Sequence, residues 1–249
     1  MGSGLGLRIN IRSPFYFAVK GLFCNIVRAC MRFDNNVPDA DRARIIQALS
    51  AIKTYGTPRQ KINAQLIEDS EILIRLGKAA WVGGSGSVSV ACAFAINRAI
   101  SRGMISFFDS WRFVRLKIAR ETIDTGGQRG IEGTLVHEGK HASDFARMIS
   151  DFSNGGETCH FDPTAFQREY SAHLTSAFYL KRRGGEYEAE GVGLGILFEN
   201  GGIVSVNPQG IRERLKNNYG LTPDVPGKRL SKLSFPNIAL RGKKLWRIF

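Results

Sequence analysis

The sequence predicts an α+β fold in which a small mixed sheet packs on two helices, with a basic extension at each end. Three observations carry this expectation. Val114, Leu116 and Ile118 alternate with Arg115 and Lys117, the pattern of a half-exposed strand over 113–119. From about Ile131 the spacing becomes helical, with Leu135, Ala142, Phe145, Ala146 and Ile149 on one stripe. A second helical stripe follows through Phe166, Tyr170, Leu174, Ala177 and Phe178.

The remaining elements follow in chain order. Residues 15–31 place Phe15, Val19, Leu22, Phe23, Ile26 and Val27 at helical spacing with Lys20 and Arg28 off the stripe, an amphipathic basic helix that suits either its own domain or a membrane surface. Residues 39–52 read as a helix, and 58–68 as another with Pro58 near its start. Glu71–Leu76 alternates loosely like a strand. The Gly/Ser run 83–87 reads as a loop and not as a phosphate cradle, because no G-K-[ST] follows it. Residues 88–100 fit a buried strand or a helix equally. Gly126-Gly127 marks a turn, and 150–161 reads as a loop. Asp162 as N-cap and Pro163 at the first helical position start the second long helix, which should stop by Gly184-Gly185. Two short strands flank the turn at Asn200-Gly201-Gly202, and a short helix lies near 210–217.

The 249 residues, 43% of them hydrophobic, suffice for one good-sized core with extensions. We divide the chain into a basic amphipathic extension at 1–33, a central domain at 34–227 and a basic tail at 228–249. Of the net charge of +13, the two ends carry +5 and +7 with no acidic residue, which leaves the central domain about +1. A nucleic-acid groove needs its charge on the folded body, so this distribution disfavours nucleic acid. Basic ends suit delivery, an acidic partner, an anionic surface or plain solvation. Cys24, Cys30, Cys92 and Cys159 form no C-x-x-C pair and read as buried or free thiols. No conventional secretory signal is expected, since Lys20 and Arg28 interrupt the apolar stretch 14–31. Residues 79–97 are too polar for a membrane span.

The chemistry is concentrated in H-E-x-x-H at His137–His141. Histidines four apart share a helix face, so their imidazoles can converge on one metal ion. Glu138 then points beside the metal, where it can take a proton from a zinc-bound water whose pKa lies near ~7. With four His in the chain, the motif should arise by chance in roughly a few in a thousand such sequences, which favours the metal reading. A catalytic zinc needs a third protein ligand. The candidates are Glu169, His160, His173, Asp144 and Asp162. Glu169 is favoured, because it lies on the second helix and two helices joined by a loop can bring it to the histidines. His173 is one turn further along the same side, as a ligand, a transition-state donor or a polar neighbour. Asp144 shares the face of His141 and either orients a histidine or is a surface residue. Gly139 costs ~1 kcal/mol inside a helix, which suggests that substrate or a strand passes close by. Tyr170, His173, Tyr179 and Tyr187 are candidate oxyanion donors.

The runs TLVHEGKHASD (134–144) and REYSA (168–172) resemble the gluzincin-type metallopeptidases. They are most similar to the HEGxHxxD-type peptidase domains at the toxic ends of bacterial polymorphic toxins and secreted effectors. The likeness covers about 134–172, and the lead-in 45–76 faintly resembles the helix–strand start of such domains. It implies a zincin-like fold in which His137, His141 and Glu169 hold Zn2+ and Glu138 is the general base, with Ala172 in its expected place. His173 stands where the family has an aromatic residue.

The expected activity is a zinc-dependent endopeptidase, a zinc metallopeptidase in which zinc-hydroxide attacks a peptide carbonyl and Glu138 carries the proton to the leaving nitrogen. Arg115 and Lys117 would line a strand edge for the substrate. The resemblance implies a toxin or effector, secreted or translocated into a target cell and acting on a protein there, with a cognate immunity protein as partner. Two other readings use the same sequence: a zinc hydrolase of a non-peptide bond, and a basic nucleic-acid or partner-binding protein with a chance motif.

Overall fold

The computed structural model describes residues 31–91, 93–154, 161–184 and 195–232. The amphipathic helix expected at 15–31, apart from Met31, all four cysteines, His160, Tyr187 and the tail beyond 232 lie outside the described residues.

The described chain runs β1 (Arg32–Phe33), α1 (Asp39–Tyr55), α2 (Pro58–Asp69), β2 (Leu73–Gly77), α3 (Ala79–Val82), β3 (Gly86–Val90), α4 (Ala93–Ile100), α5 (Phe107–Ser110), β4 (Val114–Ala119), α6 (Arg120–Asp124), α7 (Gly127–Ser153), α8 (Ala165–Arg183), β5 (Leu197–Asn200), β6 (Ile203–Val206) and α9 (Pro208–Tyr219). It is an α+β arrangement with a four-stranded sheet in the order β1-β2-β4-β3 and a separate β5–β6 hairpin. β1, β2 and β4 run parallel, and β3 is antiparallel to β4.

Alternation holds along the central strands. Ile74 and Leu76 of β2 and Val114, Leu116 and Ile118 of β4 are buried, while Arg115 and Lys117 are half-buried. Both hydrogen-bonding edges of β4 are taken, by β2 and by β3. The free edge expected beside Arg115 and Lys117 therefore does not exist. The edge strand beside β4 is β3, after Gly83 and Gly84 turn the chain at φ 86° and 144°. It takes Gly86 and Ser87 from the run that read as a loop and 88–90 from the stretch that fitted a strand or a helix, and the rest of that stretch, from Ala93, is α4.

Helix α7 is the axis of the molecule. It packs on α1, α2, α5, α6 and α8 and on strands β3 and β4. It is buried without a break from Gly130 to Ala146. A helix enclosed all round is ordinarily apolar, yet this one buries Glu132, Thr134, His137, Glu138, Lys140, His141, Ser143 and Asp144. So many polar groups held from water need partners or a function. The sheet rests on α7 and not on both long helices, whereas α8 packs on α7, α9 and β6.

Helix α8 starts two residues later than the Asp-Pro pattern predicts. Thr164 is the N-cap, in a capping box with Gln167. The Asp162 carboxylate instead accepts from the Ser231 N–H and hydroxyl. Residues 226–230 thereby fold back on the start of α8, with Ala165 N–H donating to Lys228 O and Phe166 N–H to Pro226 O. Among the described residues no helix is long and apolar enough to cross a membrane.

Candidate metal centre

α7 and α8 run antiparallel, as their cross-contacts show: Glu169 meets His137 and His141, Ser176 reaches Gly133, and Tyr179 reaches Glu132. The helical repeat places both imidazoles on one face of α7, with Nε2 atoms 3.1 Å apart. Glu169 Oε2 lies 3.4 Å from His137 Nε2 and 3.3 Å from His141 Nε2. A tetrahedral ion with bonds of ~2.0–2.1 Å needs ligand atoms about 3.3 Å apart. The three edges match that spacing, so the donor set fits a small tetrahedral metal ion.

His173 adds a fourth group. Its ring centroid is 4.6 Å from that of His137, it is buried, and neither ring nitrogen has a hydrogen-bond partner among the described residues. His137, Glu169 and His173 also form a set with ligand atoms within 4.8 Å of one another. The buried His–Glu–His cluster can hold a metal ion in either grouping. The set with His141 is the tighter one, and its spacing is the one a small tetrahedral ion requires.

Charge in the cluster is strongly perturbed. Burial opposes the Glu169 charge, but His141 and His137 outweigh it and hold the carboxyl well below the usual range. Burial likewise opposes a proton on His141, and Glu169 overcomes it, raising the pKa. Burial, reinforced by the neighbouring His137 and Arg214, lowers His173 to about 2, so its imidazole is neutral. Burial raises Glu138 against the pull of both motif histidines. Glu138 Oε2 has no hydrogen-bond partner among the described residues.

The cluster opens into a cleft of about 720 Å³. One wall is the β3 edge strand with its approach from Val82. The other side carries Arg168 and Glu169 of α8 with Arg214, Asn218 and Tyr219 of α9. Gly86 is the point of closest approach. A β-carbon there would lie 2.7 Å from Glu138 Cγ and 2.8 Å from Thr134 Cγ2.

Several expectations change against this geometry. Asp144 does not orient a histidine, because both its oxygens accept from Lys140 Nζ at 2.5–2.6 Å. The Nδ1 atoms of His137 and His141 have no hydrogen-bond partner among the described residues. Gly139 faces α2, where Asn63 Nδ2 donates to its carbonyl at 3.4 Å, and nothing approaches it too closely for a side chain. Tyr179 is fully buried and donates to Glu132 at 2.7 Å, and Tyr170 stacks on Phe166, so neither lines the cleft. Asp162 is spent on Ser231. Sequence reading missed Gly86, Arg168, Arg214 and Tyr219. Arg168, the neighbour of Glu169, carried a signal in its position, whereas α9 lies too far along the chain for any local pattern to place it.

Comparison with models of known protein families, with curated proteins and with solved structures finds no match to the chain.

Proposed function

We propose that the chain is a zinc-dependent endopeptidase of zincin-like fold, with His137, His141 and Glu169 as ligands and Glu138 as general base. The observation that carries this reading is the triangle of 3.1, 3.3 and 3.4 Å between the three ligand atoms, with a buried, unpartnered carboxylate oxygen beside it. Zinc bound there supplies Lewis acidity and makes a water ionisable near neutral pH.

The protein's own groups account for the rest. Glu138 takes the attacking water's proton on a carboxylate oxygen and gives it to the leaving amide nitrogen, so that hydroxyl ends on the carbonyl carbon and hydrogen on the amine. Its raised pKa suits a group that must both accept and release a proton. Gly86 lets β3 lie against Glu138 and limits where that carboxylate can point. The edge of β3 that no described strand pairs with lines the cleft and offers backbone groups to an extended chain, which favours a peptide over a compact substrate. The Tyr219 hydroxyl and the neutral His173 ring line the same cleft and can donate to the carbonyl oxygen. The likeness at 134–172 supports a toxin or effector acting on a target-cell protein.

The test combines metal analysis with one substitution. The purified chain should carry one zinc, and His137→Ala or Glu169→Ala should lose it. Glu138→Gln should keep zinc and lose hydrolysis by about 10²–10⁴-fold. A Glu138→Gln protein with full activity would remove the assigned base, and a wild type without affinity for zinc would remove the whole reading.

A further inference from the structure

We propose that Arg168 is a specificity-determining residue that selects an acidic side chain, aspartate or glutamate, in the substrate; this deepens the peptidase reading and rests on it for its kinetic test. Arg168 lies on α8 directly before Glu169 and lines the cleft. It is only 8% exposed, its Nε is buried, and no described residue accepts a hydrogen bond from its side chain or pairs with it. A buried Nε without an acceptor is costly, and a planar carboxylate matches the donors of a guanidinium in pairs.

Among the described residues, none offers that carboxylate. Asp144, whose charge reaches Arg168, is held by Lys140 through both oxygens. Glu169 is committed to the two motif histidines. Glu138 and Glu169 are the two carboxylates among the cleft-lining residues, and both belong to the reaction centre. The remainder of the cleft presents Arg168, Arg214 and uncharged groups. Arg168 also lines the adjoining hollow, where Lys140 is paired with Asp144 and the Asp162 carboxylate is taken by Ser231. An acidic residue of a bound chain beside Glu169 would meet this guanidinium.

The full zinc-loaded chain is tested on short end-blocked peptides that differ only as Asp against Asn, or Glu against Gln, at each position in turn. At one position kcat/KM should favour the acid by about tenfold to a hundredfold. Arg168→Gln should bring that ratio close to one, and Arg168→Lys should restore part of it, with zinc content measured in each. If Arg168 only positions Glu169, both peptides slow together and the ratio survives, which overturns the proposal. Equal cleavage of acid and amide by the wild type overturns it as well and leaves the peptidase reading standing. A binding arm uses zinc-loaded Glu138→Gln protein, with and without Arg168→Gln, and fluorescent versions of the same peptides. Acid-selective binding that needs Arg168, in a chain that cleaves nothing, keeps this inference and removes the peptidase. Neither cleavage nor selective binding removes both.

Discussion

A β-carbon added to Gly139 would sit 3.5 Å from Ile67 Cδ1, an ordinary contact, whereas one added to Gly86 would drive into Glu138 and Thr134. The two glycines therefore predict opposite outcomes. Gly139→Ala should raise stability by about 0.5–1 kcal/mol in urea unfolding, since the helix gains propensity at no steric cost. Gly86→Ala should retain zinc while hydrolysis falls about a hundredfold, because a small displacement of the base is expensive. Gly139 looked functional because a helical glycine is costly; its neighbour in space is a helix side chain that tolerates a methyl group. Gly86 looked like loop material because its close approach to Glu138 spans 52 residues of sequence. His137, His141 and Glu138 were legible, since one helical turn is a local rule. Arg168 and Tyr219 were not, since their value depends on which cavity they face.

At the level of elements, the metal cluster depends on the register of α7 against α8. That register is fixed away from the site by Glu132, fully buried on α7, which accepts from Tyr179 Oη at 2.7 Å and Arg183 Nε at 3.1 Å on α8. Tyr179→Phe should cost about 1–3 kcal/mol, read from the urea midpoint, because it removes a hydrogen bond to a buried charge. Glu132→Ala should cost more, since it strands both donors. α1, α2, β2, β4, both long helices, the β5–β6 hairpin and α9 were legible from periodicity and turn residues. The start of α8 was not, because Asp162-Pro163 mimics a cap that the Thr164–Gln167 box supplies two residues later. β1 escaped notice because two residues carry no period; the sheet, not the local sequence, makes them a strand.

Across the whole molecule, metal binding and folding are linked. Zinc at 1,000 times its dissociation constant should add about 4 kcal/mol to stability, measured as the gap in unfolding between zinc-loaded and chelated protein. That gap should shrink in acid. Protons and zinc compete for the motif histidines, and Glu169 raises the His141 pKa in the metal-free protein. Loss of the gap should therefore begin above pH ~6.5, the ordinary histidine value. The metal-free protein differs: the His141–Glu169 pair helps it most in mild acid, between the ordinary carboxylate value of 4.5 and the ordinary histidine value of 6.5, and loses that help as pH rises through the raised His141 pKa or falls toward the depressed Glu169 range. Thermal unfolding against pH, with and without chelator, checks both slopes.

The sequence alone determined that two imidazoles and a carboxylate would share one stretch of helix, that a second helix would carry Glu169, and that the charge would gather at the ends. Those properties follow from helical repeat and composition, which act between near neighbours. Tertiary packing alone decided that Glu169 meets the histidines, that β3 and not β4 borders the cleft, and that Arg168 lies buried beside it with no acceptor for its Nε among the described residues. A local pattern sets which face a residue occupies, but only the packing of distant segments sets what that face meets.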